Sequence, residues 1–202
     1  IPNMLKNPIP QVTNQLQYRA IGIINGKFTP LDSEQLNRGF LTDNKGGKIE
    51  TVVLGKALSL LKKHIDLEKS YYWVVYPKNK NTQNLHLQVA GIWDPYQLND
   101  FPNNSSKTNF SKLLEDLDLK DNYFSVRGKL VFVNTQKKEI VIKICSSSKL
   151  KNLKNNNFKL VIKGELSLEL LNSFVSLDIN RDGNALKLIS YEVIAKDLSE
   201  NN

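Results

Sequence analysis

The sequence predicts a mostly β protein built from two similar halves, and three observations carry that reading. Stretches rich in β-branched and aromatic residues alternate with polar or glycine-containing turns along most of the chain. Only one stretch, Lys56 to Lys69, shows a sustained helical spacing of apolar residues. The order three strands, one helical segment, two strands then occurs twice in succession.

In the first half, residues 18 to 29 (YRAIGIINGKFT) read as a strand, with Gly22 and Gly26 as candidate bulge points. NRGFLTD and KIETVVLG flank Asn44-Lys45-Gly46-Gly47, a hairpin signal because glycine accepts positive φ without a steric cost. In KALSLLKKHIDLEK, Ala57, Leu58, Leu61 and Ile65 share one side of a helix, leaving Lys62 and Lys63 outside. SYYWVVYP and LHLQVAGIW follow as strands, joined by the polar KNKNTQN. Alternation puts Tyr72, Val74 and Tyr76 on one face, and Tyr71, Trp73 and Val75 on the other. Both faces are apolar, so the pattern does not say which is outward.

Residues 94 to 121 break the strand pattern. Pro95, Pro102 and an Asn/Ser cluster mark a linker, with a candidate short helix over Ser111 to Leu119 that turns Leu113, Leu114 and Leu117 inward. In the second half, YFSVRGKLVFVNT and KEIVIKICS pair across Gln136-Lys137, and FKLVIKGE is the third strand. ELSLELLNS is a short helical candidate, and FVSLDI and ALKLISYEVI close the set. The two halves share architecture but hardly any sequence.

That order is the topology of the OB-fold, a five-stranded Greek-key barrel with a helix between strands three and four. The expected organisation is a flexible leader (1–17), a first OB-like domain (18–94), a linker (95–121), a second OB-like domain (122–196) and a tail (197–202). A pair of small β-sandwiches is the rival architecture.

At 202 residues, 40% of them hydrophobic and 24% charged, the chain can bury a core in each half. No apolar run approaches the length of a membrane span, and the N-terminus lacks the pattern of a signal peptide. The single cysteine, Cys145, excludes an internal disulfide and fits a reducing cytoplasm. The net charge of +8 favours an anionic partner, although the 28 basic residues comprise 24 Lys and 4 Arg, a bias that codon usage alone could supply.

Asp178-Ile179-Asn180-Arg181-Asp182-Gly183 copies the first half of a calcium loop, but position 12 holds Ile189 where a bidentate Glu belongs, so the segment reads as a hairpin turn. Ser59–Lys62 and Ser146–Lys149 match S-x-x-K with none of the accompanying motifs of serine acyl enzymes. Two histidines, His64 and His86, and one cysteine do not make a zinc set, and His86 reads as a surface strand position. No phosphate loop, nucleophile elbow or dinucleotide fingerprint appears. The expectation is a non-catalytic protein without metal or cofactor.

YRAIGIINGKFTP, LDLEKSYYWVVYPK, LHLQVAGIWDP, YFSVRGKLVF and FKLVIKGEL together resemble an uncharacterised family of conserved cyanobacterial proteins with tandem OB-like domains. The resemblance spans most of residues 18 to 194. It implies a cyanobacterial cytoplasm and no particular reaction.

The remaining signal is charge with aromatic rings on strands. From Lys143 to Lys163 the chain holds six lysines and no acid, and SSSKLKNLKNNNF joins strands two and three of the second domain. In OB domains the face of strands two and three commonly holds oligonucleotides. Phosphate contacts are therefore expected from Lys129, Lys143, Lys149, Lys151, Lys154 and Lys159, with Arg127 and Phe158 beside them. Arg38 and Phe40 form a weaker candidate in the first domain, and Tyr72 and Tyr76 are candidate stacking rings. The expected partner is single-stranded nucleic acid, RNA before DNA, with no membrane association. The alternative is a protein-binding scaffold or assembly factor, with Trp93, Tyr96 and Phe101 as interface anchors.

Overall fold

A computed structural model describes residues 7–80, 84–93, 115, 119–145 and 157–197. The first half forms β1 (Arg19–Asp32), β2 (Gln35–Asp43), β3 (Lys48–Val53), helix α1 (Gly55–His64), β4 (Tyr71–Lys80) and β5 (Asn84–Trp93). The second forms β6 (Tyr123–Asn134), β7 (Glu139–Ile144), β8 (Phe158–Lys163), a 3-10 turn (Leu168–Leu170), β9 (Phe174–Asp182) and β10 (Ala185–Ala195).

The strand order is the same in both. In the first barrel it runs β1–β2–β3–β5–β4 and back to β1; in the second, β6–β7–β8–β10–β9 and back to β6. Strands one to three form an antiparallel meander, and β10 joins β8 in parallel. These are two OB-fold barrels, as the strand–helix order predicts.

By backbone packing the chain divides into two compact units. One comprises Ile1–Pro10, Gly22–Val75 and Gln88–Tyr123; the other comprises Gln11–Ile21, Tyr76–Leu87 and Phe124–Asn202.

The core of the first unit is Ile23, Ile24, Phe28, Leu41, Ile49, Trp73 and Val89, all sealed from solvent. On β4, Trp73, Val75 and Pro77 are buried, which leaves Tyr72, Val74 and Tyr76 as the outward set. The Trp73 indole Nε1 donates to the Gly26 carbonyl at 2.8 Å, so this large ring is buried with its polar atom satisfied. Gly26 pairs with Tyr71 of β4 and with Asp43 of β2, and so marks where β1 passes from one side of the barrel to the other. The sequence suggested bulges at Gly22 and Gly26. Both pair in regular register, and the irregularity in β1 lies between Pro30 and Asp32. A glycine is needed at 26 for a different reason: a Cβ there would lie 2.2 Å from the Thr42 carbonyl oxygen.

The β2–β3 hairpin turns at Gly46, whose φ is +83°. The Asp43 carboxylate closes it by accepting from the backbone N–H of Lys45 and Gly47 at 3.0 and 2.8 Å. Helix α1 buries Ala57 and Leu61 and leaves Lys62, Lys63 and His64 in its last turn, where positive charge is favoured by the helix dipole.

In the second unit Phe124, Leu130, Ile140, Ile142, Leu160 and Phe174 form the centre of the core. The helix expected over ELSLELLNS is a single 3-10 turn instead. The chain between Lys163 and Phe174 is too short to build an α-helix and return to the barrel, and Asn172, at φ +68°, ends the turn. Asp178 to Gly183 lies in the β9–β10 hairpin, with Gly183 at φ +58°. Within it Asp178 accepts from Ser190 Oγ at 2.8 Å, and Asp182 pairs with Lys187 at 2.8 Å.

His86 is half-buried in β5. Of the helix expected over 111–119, Glu115 is helical and Leu119 is buried; Leu113, Leu114 and Leu117 lie outside the described residues. Among the described residues no helix is long and apolar enough to cross a membrane.

Candidate nucleic-acid interface

The register of β6, β7 and β8 assembles a surface from residues far apart in sequence. Along β7, Ile140, Ile142 and Ile144 are buried, so Glu139, Val141 and Lys143 face outward. Each sits opposite a residue of β6 and one of β8, on the same face.

The first row is Lys129–Lys143–Lys159, three lysines directly abreast on three adjacent strands. The second is Phe132–Val141–Val161, and the third is Asn134–Glu139–Lys163. Cross-strand neighbours have Cβ atoms about 4.5–5.5 Å apart, and successive rows are about 6.7 Å apart along the strands. Like charges directly opposite one another destabilise a sheet. Among the described residues none of the three lysines of the first row forms an ion pair. The row is therefore a standing concentration of positive charge.

Phe132 is 53% exposed, in the row next to the lysines. A bulge between Leu130 and Phe132 puts it there by shifting the register against β7 by one residue. Gly128 permits the close β6–β7 approach at the lysine row, since a Cβ would lie 2.4 Å from the Lys143 carbonyl oxygen. In the third row Lys163 Nζ donates to Glu139 Oε1 in an ion pair.

Other sequence-predicted residues are placed elsewhere. Arg127 is buried: its Nε and Nη2 donate to the carbonyls of Gln17 and Gln15 at 3.1 and 2.5 Å, and its guanidinium lies 5.7 Å from the Phe174 ring centre. It holds residues 15–17 against its own unit. Phe158 pairs with the buried Ile144, so it is not on the face of Lys159; Lys78 Nζ sits 3.2 Å above its ring centre. Burial pushes the Lys78 pKa down. The neighbouring Asn79 Oδ1 accepts from Val161 N–H at 2.9 Å. Lys149, Lys151 and Lys154 lie outside the described residues.

In the first barrel, Arg38 and Phe40 share the outer face of β2, as their spacing predicts. Phe40 lies between Thr29 and Glu50, with a row of Lys27, Thr42 and Lys48 on one side and Arg38 beside Val52 on the other. These rows set Lys27, Lys48 and Arg38 against one acid, Glu50, whereas the rows of the second barrel set four lysines against one acid, Glu139. Tyr72 is half-buried, edge-on to Trp93 at 6.0 Å; burial foremost, and then the Asp121 carboxylate, push its pKa up. Tyr76 is 39% exposed on β4, outside the three strands that carry the rows. Trp93, named as an anchor for a protein partner, is buried; Tyr96 and Phe101 lie outside the described residues.

Sequence reasoning missed Phe132, Glu139 and Lys163 as site residues. The six-lysine run pointed to Lys163, but no signal in the sequence marks the bulge that turns Phe132 outward.

Comparison with known families agrees with this architecture. Residues 20–100 match the family model described as the PatR RNA-binding protein, N-terminal OB-fold domain. Residues 126–195 match the one described as the cyanobacterial OB-fold-like RNA-binding domain, C-terminal. No curated protein matches the chain significantly. Between them the two matches cover both barrels and most of the sequence, and the chain belongs to this cyanobacterial family of tandem OB-fold RNA-binding proteins.

Proposed function

We propose that the outer face of β6, β7 and β8 is the surface with which this RNA-binding protein holds single-stranded RNA. The observation that carries the reading is the register Lys129–Lys143–Lys159. Three ammonium groups across three strands match a run of backbone phosphates, and the exposed Phe132 beside them offers a stacking platform for a base. The contact is non-catalytic: it needs charge and a ring, and no proton transfer. Single strands fit better than a duplex, because stacking on Phe132 requires an unpaired base.

Lys149, Lys151 and Lys154, in the segment joining β7 to β8, extend this reading on charge alone. Arg38 and Phe40, with Lys27 and Lys48, are a secondary contact. Arg127 acts as an internal brace. The domain limits proposed are 18–94 and 122–196, with 1–17 as a leader, 95–121 as linker and 197–202 as a tail, acting in the cytoplasm; the matches over 20–100 and 126–195 support the two domain cores.

Phe132→Ala tests the stacking contact. A stacked base contributes about 1–3 kcal/mol, so single-stranded RNA should bind about 5- to 150-fold more weakly. Fluorescence anisotropy reads the affinity and urea unfolding reads stability, which should change by less than about 0.5 kcal/mol at so exposed a side chain. Unchanged affinity would remove Phe132 from the site.

A further inference from the structure

We infer that the third row, Asn134–Glu139–Lys163, reads the base that stacks on Phe132 and selects guanine. This rests on the proposed RNA surface and assigns that surface a specificity. Asn134 is two residues from Phe132 on β6, and Glu139 lies directly opposite Asn134, on the diagonal from Phe132. Diagonal neighbours on a sheet face are about 7–8 Å apart, within reach of aromatic and long side chains.

The donor and acceptor pattern then decides the base. Lys163 supplies a donor and Glu139 supplies two acceptor oxygens. Oε1 accepts from Lys163, and among the described residues Oε2 has no partner. The Watson–Crick edge of guanine presents one acceptor, O6, followed by two adjacent donors, N1–H and the N2 amino group. Lys163 on O6 with the carboxylate on both donors makes three bonds. Adenine and cytosine each present one donor group on that edge, and uracil sets a second carbonyl where guanine has its amino group. Only guanine uses both carboxylate oxygens.

The row also has an electrostatic order. Glu139 repels phosphate, while the lysines of the first row attract it, with Phe132 between. An RNA strand is thus oriented with its backbone over the lysines and its base edge toward Glu139.

The test uses the full chain and uridine oligomers of about ten nucleotides, each with one central guanosine, inosine, adenosine or cytidine, read by fluorescence anisotropy at about 50 mM salt. A bidentate contact discriminates by roughly tenfold or more. The guanosine oligomer should therefore bind about tenfold tighter than the adenosine and cytidine oligomers. Inosine, which lacks only the N2 amino group, should lose most of that advantage. Glu139→Gln should bring all four oligomers close to one affinity. Equal affinities for the wild-type chain, or a guanosine preference that survives in Glu139→Gln, would overturn the inference while leaving the RNA surface intact. Failure of all four to bind would overturn the surface itself, and this inference with it.

Discussion

Lys143→Glu should weaken RNA binding and stabilise the fold at the same time. Lys143 is the middle member of the row, with Lys129 on one side and Lys159 on the other. Two unit charges about 4 Å apart in water interact by about 1 kcal/mol, so turning an attraction to phosphate into a repulsion changes binding by about 2 kcal/mol, roughly 30-fold. Within the protein the signs run the other way. Two like-charged cross-strand pairs become two opposite-charged pairs, a gain of about 1 kcal/mol in stability. For a domain of the size of the second barrel that is a melting temperature about 4–8 °C higher. A residue retained for packing alone would show the two quantities falling together. Opposite movement is the signature of a row kept for a ligand at the expense of the fold.

The second large effect is purely structural. Trp73→Ala should cost about 3–5 kcal/mol, read by urea unfolding. The ring is fully buried and packs against Phe28 and Tyr71, each at 6.0 Å between centroids. Its loss also leaves the Gly26 carbonyl without its donor at the point where β1 changes partners. Domains are stable by about 5–15 kcal/mol, so this one substitution removes a large share. Trp73→Phe separates the causes: it keeps most of the ring's bulk and forfeits the hydrogen bond, and should cost about 1–3 kcal/mol. Equal losses for the two variants would contradict the assignment of most of the energy to packing.

The barrels were legible in the sequence because their determinants are local. Hairpin glycines, alternating strands and one amphipathic helix fix the order of elements, and that order points to the fold. Arg38 and Phe40 were legible too, since spacing of two within one strand places both on one face. The lysine row was legible only as separate lysines. What aligns Lys129, Lys143 and Lys159 is the pairing of three strands, and that depends on turn lengths and on the bulge after Leu130. Simple alternation from Lys129 would send Phe132 inward; the extra residue reverses it. Arg127 shows the converse failure. As a basic residue on a strand it resembled a phosphate contact, but its guanidinium is committed to the carbonyls of Gln15 and Gln17, far away in sequence. The second helix failed for a geometric reason, the short span between β8 and β9.

Salt dependence tests the lysine row most directly. Each phosphate neutralised on a single strand contributes about −0.7 to the slope of log affinity against log salt. Replacing Lys129, Lys143 and Lys159 together by Ala should flatten that slope by about 2 relative to the unaltered chain. An unchanged slope, with RNA still bound, would contradict the assignment of this face.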